Sequence, residues 1–315
     1  ARFKKLATPR RFTGPKLFEP FRDELGLSSC RDCAFVFTNP RPSRALLDRF
    51  YGSLNQARGT ADGARAGVAT SEKSEFLLSY AERHAGGGRR LLEYGCAEGG
   101  FIRAAMFRGW SAVGFDVGEA HARCKALDLE VTDRLQSLEE GSFDVIVLRS
   151  VYEHLEERVG TLAGLKRLLV PGGKLVVEVP NAASLRARLA VPLFSERGRF
   201  ADRYAAFPIS LSFFTPETLA RFVERAGFVV DELRTFGLGL DGLVFREEPP
   251  RTLPPLQDDK GEDISTVRPA LKLKAARARE LRRFGSTRDL LRDLFLKSGL
   301  GEHVVVAAGE RPSAS

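Results

Sequence analysis

Leu91 to Phe101, reading LLEYGCAEGGF, restricts the fold more than any other stretch of this chain. A short apolar run ends at Gly95 and a glycine-rich turn follows. From Phe101 onward, Ile102, Ala105, Met106 and Gly109 recur at helical spacing. The pattern predicts a strand, a tight turn and a helix. Such a turn brings backbone close to a ligand and aims helix N-terminal amides at it, which suits a nucleotide or nucleoside-like cofactor. The next strand, AVGFDV, carries Asp116 at its end, about 20 residues beyond the glycines, where the ribose-binding carboxylate of a nucleotide fold belongs. An alternative for Asp116 is a cap on the helix that starts at Gly118.

The elements that follow fit one sheet. Phe143 to Leu148 reads as a strand that runs into Arg149-Ser150-Val151-Tyr152-Glu153-His154-Leu155. Strand C-termini of an open parallel sheet face the ligand crevice, so Glu153 and His154 stand where a substrate would sit. An imidazole titrates near neutral pH and can take a proton from an attacking hydroxyl; the alternative is that the pair caps and packs the loop. Leu162, Leu165, Leu168 and Leu169 predict a core-facing helix stopped at Pro171-Gly172-Gly173. KLVVEVPN, nearly all apolar, predicts a strand covered on both faces, with Asn181 at its end on the substrate side. Thr215 with Pro216 opens another helix, Phe228 to Thr235 is a sixth strand, and HVVVAAG from His303 closes the sheet.

Glu93-x-Gly95-x-Ala97-x-Gly99, Asp116, SFDVIVLRSVYEHL, LLVPGGKLVVEVPN and FFTPETLARFVERAGF occur in that order. Together they resemble the class I S-adenosylmethionine (SAM) dependent methyltransferases, in the branch of ubiquinone-type O-methyltransferases and methyltransferases of sugar and cell-envelope gene clusters. The resemblance runs from about Cys30 to Thr235 and returns at the last strand, with Ala97 standing where glycine is usual. It implies a Rossmann-like α/β fold with a seven-stranded, mostly parallel sheet whose last strand is antiparallel beside the sixth. It also implies SAM as cofactor, with Gly95, Ala97 and Gly99 near its methionine and ribose, Glu93 at its ammonium, Asp116 on the ribose hydroxyls, and Asp133 and Leu135 beside the adenine. His154 and Glu153 become the catalytic pair for transfer to an oxygen, less readily a carbon or nitrogen, of a small molecule or a glycan or cell-envelope precursor. The rival readings are a non-catalytic SAM-binding or assembly protein and an RNA-directed methyltransferase.

The RNA-directed reading draws on the net charge of +8, but the excess sits on the flanks. Residues 1–22 carry seven Lys/Arg against Glu19, and residues 265–300 carry ten against three acids, which leaves the body between them mildly acidic. The fourth strand also lacks the Asn/Asp-Pro-Pro-aromatic motif of amino-directed nucleic-acid enzymes, so nucleic acid is not the expected partner.

Residues 1–53 resemble the family's N-terminal zinc ribbon reduced to one pair, Cys30 and Cys33. Four tetrahedral ligands cannot be assembled from it, so no metal is expected. Residues 54–70 read as a mobile loop, and Leu77, Leu78 and Ala81 as a helix leading into the cofactor domain, 71–235. Within that domain the insertion 182–214 roofs the acceptor pocket in the family. Its Phe194, Arg197, Arg199, Phe200, Arg203, Tyr204 and Phe207 suit a ring or sugar bearing an anionic group, while Ser210 replaces a histidine common there. Residues 236–300 read as a proline-rich loop and then, over 268–298, two basic amphipathic helices, packed on their own domain or lying on an anionic membrane surface. Residues 301–315 hold the last strand and tail. No apolar run reaches membrane-spanning length, the basic start has no apolar signal core, and four scattered cysteines form no disulfide framework. The chain therefore reads as cytoplasmic, with its oligomeric state open.

Overall fold

The computed structural model describes residues 3–7, 25–59, 69–70, 72–184, 187, 209–237, 251–252 and 301–310. The N-terminal elements are β1 (Phe3–Ala7), β2 (Leu27–Cys30), β3 (Val36–Thr38), α1 (Arg44–Gly59), β4 (Ala69–Thr70) and α2 (Glu72–His84). The central unit follows as β5 (Arg90–Tyr94), α3 (Gly100–Phe107), β6 (Ser111–Phe115), α4 (Glu119–Ala126), β7 (Val131–Thr132), β8 (Phe143–Arg149), α5 (Arg158–Lys166) and β9 (Leu169–Pro180). The chain then forms β10 (Ser212–Phe213), α6 (Pro216–Arg225), β11 (Phe228–Phe236), β12 (Arg251–Thr252) and β13 (His303–Glu310).

Seven strands form one sheet in the order β11-β13-β9-β8-β5-β6-β7. β9, β8, β5, β6 and β7 run parallel, and β13 lies antiparallel between β11 and β9. The expected fold is therefore the observed one, including the reversed last strand. The apolar runs explain the centre of the sheet. Leu91 and Leu92, Val145 to Leu148, Val176 and Val177, and Val304 to Ala308 are all buried, because helices cover both faces. On one face Leu92, Ile146, Val177, Val304 and Val306 pack under α5 and α6; on the other, Leu91, Val145, Val176 and Val305 pack under α2 and α3.

Local chemistry fixes the ends of several elements. Thr215 Oγ1 accepts from the Thr218 N–H while Thr218 Oγ1 accepts from the Thr215 N–H, so α6 begins with the expected cap and Pro216 in its first turn. α5 stops at Lys166, ahead of Pro171-Gly172-Gly173, because Leu168 and Leu169 are already drawn into the core beside Phe143. α1 continues to Gly59 and so takes in the first residues of the stretch expected to be a loop; 60–68 lie outside the described residues. Most of the acceptor-roof insertion, 185–186 and 188–208, and the basic segment 268–298 also lie outside them.

The N-terminal residues do not stand apart. β1, β2, β3 and β10 form a second, four-stranded sheet in that order, so a strand from just before α6 completes a sheet begun at the N-terminus. Leu25, Leu46, Leu47 and Phe50 make a small core of their own beneath it, with Ile209 and Phe213 packed against it.

Candidate active site

The turn after β5 is held open by protein contacts as well as by φ. Gly95 (φ 80°) and Gly99 (φ 73°) lie in the left-handed region, and a Cβ at either would run into Val151 or Leu129. Ala97 also sits in that region, at φ 48°, and its N–H donates to Asp116 Oδ2 at 2.7 Å, a charge-assisted bond that offsets the cost of the conformation. The other oxygen, Asp116 Oδ1, accepts from the Val117 N–H at 2.8 Å. The structure thus brings Asp116 onto the glycine turn. Each of its oxygens keeps a further lone pair, and beside it Val117 leaves an apolar side chain 58% exposed.

Glu93 is wholly buried at the foot of the same turn. Its Oε1 accepts from Arg149 Nε at 3.3 Å, while Oε2 makes no well-formed hydrogen bond among the described residues, the Ile102 N–H being the backbone group that helps to hold the charge. Burial pushes this carboxyl up to about 7 against the pull of the Arg149 charge. A buried carboxylate oxygen without a well-formed hydrogen bond is costly, and a cationic ligand group reaching it removes that cost. Asp133 is half exposed, its nearest charge being Arg134 Nε at 4.0 Å, and Leu135 opens a short 3₁₀ turn. Leu135 and Tyr94 line a groove of about 480 Å³ that runs on to Glu157, Gly160 and Arg167 of the α5 region. Glu93, Asp116 and Asp133 do not line that groove, so it adjoins the crevice rather than forming it.

Across the crevice, Val151 to Leu155 turn back over the C-terminal ends of β8 and β9. Ser150 there adopts φ 51°, and Tyr152 stacks on Phe214 to bury the loop. Glu153 is buried, its Oε2 has no partner, and burial together with the nearby Glu178 charge raises its carboxyl to about 8. These surroundings favour its protonated form. His154 Nδ1 lies 3.2 Å from the Ile209 carbonyl and Nε2 lies 3.7 Å from Glu153 Oε1. Burial lowers the imidazole from its usual value, with the Ile209 carbonyl opposing. A neutral ring facing a carbonyl, which can only accept, carries its hydrogen on Nδ1 and leaves a lone pair on Nε2.

Several residues here escaped the sequence reading. Glu178 on β9 is fully buried, with Lys73 Nζ from α2 at 2.8 Å and His303 Nδ1 from β13 at 2.7 Å; Ser150 Oγ donates to its Oε2 at 3.2 Å. Lys73 Nζ also donates to Ser150 Oγ at 2.6 Å. Burial alone would raise the Glu178 carboxyl, but Lys73, then His303, outweigh it and hold it at about 2. The one sequence signal was the acid itself, since a charge in the middle of VVEVP needs a partner. Tyr51 of α1 is part of the same surroundings: burial first, and then the Glu153 charge, push its phenol up to about 12. Asn181 turns away from the crevice, donating through Nδ2 to the Gly301 carbonyl at 2.7 Å.

Cys30 and Cys33 lie in a tight turn where the backbone N–H groups of Asp32 and Cys33 lower the Cys30 thiol. Among the described residues no group of three or more His, Cys, Asp or Glu is placed to hold a metal ion, and no helix is long and apolar enough to cross a membrane.

A family model described as a methyltransferase domain matches residues 64–233, more than half of the chain. A ubiquinone biosynthesis O-methyltransferase of Nitrosococcus oceani is 32% identical over 117 residues, covering 33% of this chain and 49% of that protein. Another, of Aromatoleum aromaticum, is 27% identical over 179 residues, covering 51% of this chain and 74% of that protein. The chain spans about half the length of the first of these. A solved S-adenosylmethionine dependent methyltransferase from Mesorhizobium loti aligns over 77% of this chain and 99% of its own, at 17% identity and a TM-score of 0.45.

Proposed function

We propose, because the chain belongs to the methyltransferase domain family, that it transfers the methyl group of SAM to a hydroxyl oxygen of a small molecule. When bound, SAM supplies an electrophilic methyl group, so the protein has to align the acceptor and take its proton. The residues present fit the cofactor. Glu93 Oε2, which lacks a well-formed hydrogen bond, suits its ammonium, the spare lone pairs of Asp116 suit its ribose hydroxyls, and the exposed Val117 offers an apolar surface beside them. Gly95, Ala97 and Gly99 hold the turn in shape between these groups. Leu135 is the better of the two adenine candidates, because Asp133 is drawn toward Arg134 and solvent.

The observation that carries the acceptor half is the hydrogen bond of His154 Nδ1 to the Ile209 carbonyl, which leaves a lone pair on Nε2 for the acceptor's proton. In this reading Nε2 would take the proton of the acceptor hydroxyl. Glu153, whose carboxyl is raised to about 8, lies beside the ring with Oε1 3.7 Å from Nε2. An acceptor hydroxyl on a ring, as a relative named for ubiquinone biosynthesis suggests, also fits the Tyr51 ring near Glu153. The arginines read as partners for an anionic group, Arg197, Arg199 and Arg203, lie outside the described residues and support that part of the reading by sequence alone.

Titration calorimetry with S-adenosylhomocysteine tests the cofactor half: one site per chain is expected, and heat from NADH with none from S-adenosylhomocysteine overturns it. Methyl transfer from labelled SAM to a panel of catechols, phenols, free sugars and amines tests the other half, with label expected on oxygen. Label found only on amines overturns the hydroxyl reading.

A further inference from the structure

The catalytic loop is connected to the N-terminal sheet by a short strip of backbone, Ile209 to Leu211. On one side of the strip, the Leu211 N–H donates to the Glu153 carbonyl at 2.9 Å and the Ile209 carbonyl meets His154 Nδ1 at 3.2 Å. On the other side stands Thr38, at the end of β3. Its hydroxyl donates to the Ser210 carbonyl at 2.7 Å and its N–H donates to the Leu211 carbonyl at 3.2 Å. Thr38 is fully buried, and Ser210, Leu211 and Ser212 are nearly so. A hydroxyl at such a position is satisfied by one geometry only, so Thr38 fixes the strip and the strip fixes the carbonyl against which the histidine ring rests.

We propose that Thr38 is a positioning residue for His154: through Ser210 and Leu211 it holds the Ile209 carbonyl where it selects the Nδ1-protonated ring, making the N-terminal sheet a working part of the acceptor site. The proposal rests on the reading of His154 as the base, but its geometric claim about the ring stands or falls separately. The groups that bear on the ring's protonation are Glu153 on its own loop, Tyr51 from α1, and, behind Glu153, Glu178 of β9 with Lys73 of α2 and His303 of β13. Of these only Glu153 is joined to the strip, and through its backbone carbonyl rather than its carboxyl. The Ile209 carbonyl is the contact that raises the ring's pKa against burial, and it is the one the strip controls.

The test uses long-range proton–nitrogen NMR spectra of the four histidines in the full chain with S-adenosylhomocysteine added, His154 being assigned by its loss in His154→Gln. In the wild type the ring is expected as the Nδ1–H form. In Thr38→Val, which keeps the shape and removes the donor, it is expected as a mixture of both forms, with its titration midpoint lowered by about half a pH unit. Thr38→Ser, which restores the donor, should return the wild-type spectrum. A wild-type ring protonated on Nε2 overturns the proposal without any variant, and so does a folded Thr38→Val with an unchanged spectrum and midpoint. If the spectra behave as expected and His154→Gln nevertheless methylates its acceptor at the wild-type rate, the positioning holds and the base assignment fails.

Discussion

Three carboxyls buried around the crevice, Glu93, Glu153 and Glu178, are handled in two opposite ways. On the cofactor side, Glu93 has one long contact from Arg149 and one oxygen without a well-formed hydrogen bond, and its carboxyl is pushed up to about 7. On the acceptor side, Glu178 has Lys73, His303 and Ser150 around it and is held at about 2, while Glu153 makes no ion pair with a lysine or arginine among the described residues and is raised to about 8 by burial and the Glu178 charge. Burial is the same for all three, so burial does not decide the charge. A carboxylate whose partners are all protein is structural, whereas one left with an idle oxygen is available to a ligand.

This contrast can be broken by experiment, the largest effects coming first. His154→Ala should lower turnover on a hydroxyl acceptor by about 10² to 10⁴-fold and remove the rise of rate with pH, while leaving S-adenosylhomocysteine affinity unchanged. A loss of affinity and rate together would join the two sides that the geometry keeps apart. Glu178→Gln strands the Lys73 ammonium and removes the carboxylate beside His303 Nδ1, and should cost roughly 3 kcal/mol in denaturant unfolding at neutral pH. Because the folded-state pKa of Glu178 is depressed, the wild type should lose this stability as pH falls from about 4.5 to about 2, and the variant should show no such loss.

Asp116→Ala should weaken S-adenosylhomocysteine by about 2 kcal/mol, roughly 30-fold, and loosen the turn at Ala97; calorimetry beside thermal unfolding separates the two effects. Glu153→Gln should act with the opposite sign from Glu178→Gln. The raised pKa of Glu153 means that its contribution is intact below pH 4.5 and lost as pH rises toward 8, so the amide should equal the wild type at pH 4.5 and become progressively more stable than it as pH rises toward 8. If both glutamines destabilise equally at every pH, the distinction between the two acids is wrong.

The strand-turn-helix unit proposed to hold the cofactor was legible as a structural unit because its parts are close in the chain. Glu93, the glycine turn and Asp116 fall within one strand-turn-helix-strand unit, and the bond from Ala97 to Asp116 spans only nineteen positions. The sheet was legible for a related reason, since each apolar run, such as Val304 to Ala308, announces a strand by itself. The acceptor side was only half legible. Glu153 and His154 could be placed from the strand end before them, but Lys73, Glu178 and His303 come from three separate elements, and no periodicity links a lysine in a surface-patterned helix to an acid two strands away. The attachment of the N-terminal sheet was hidden for the same reason: Thr38 and Ser210 stand 172 positions apart, and neither is unusual in its own neighbourhood.

β11 ends at Phe236 paired with His303, and one residue on, the Gly237 carbonyl accepts from the Glu302 N–H at 2.7 Å. The chain thus leaves the sheet and re-enters it at one point, so β11 and β13 are topologically the two arms of a hairpin whose connection happens to be long. Closing a loop of some sixty residues in place of a four-residue turn costs only roughly 2 kcal/mol of chain entropy. Across from this point Asn181 clamps the re-entering strand, accepting no sequence information from the connection itself: its N–H and Nδ2 both donate to backbone carbonyls, of Glu302 and Gly301. The pairing of the two strands is therefore set at this junction, whatever the length of the connection. A chain joined directly from Gly237 to Gly301 through a short turn should still fold and bind S-adenosylhomocysteine, losing, among the described residues, the pairing of β12 with β4.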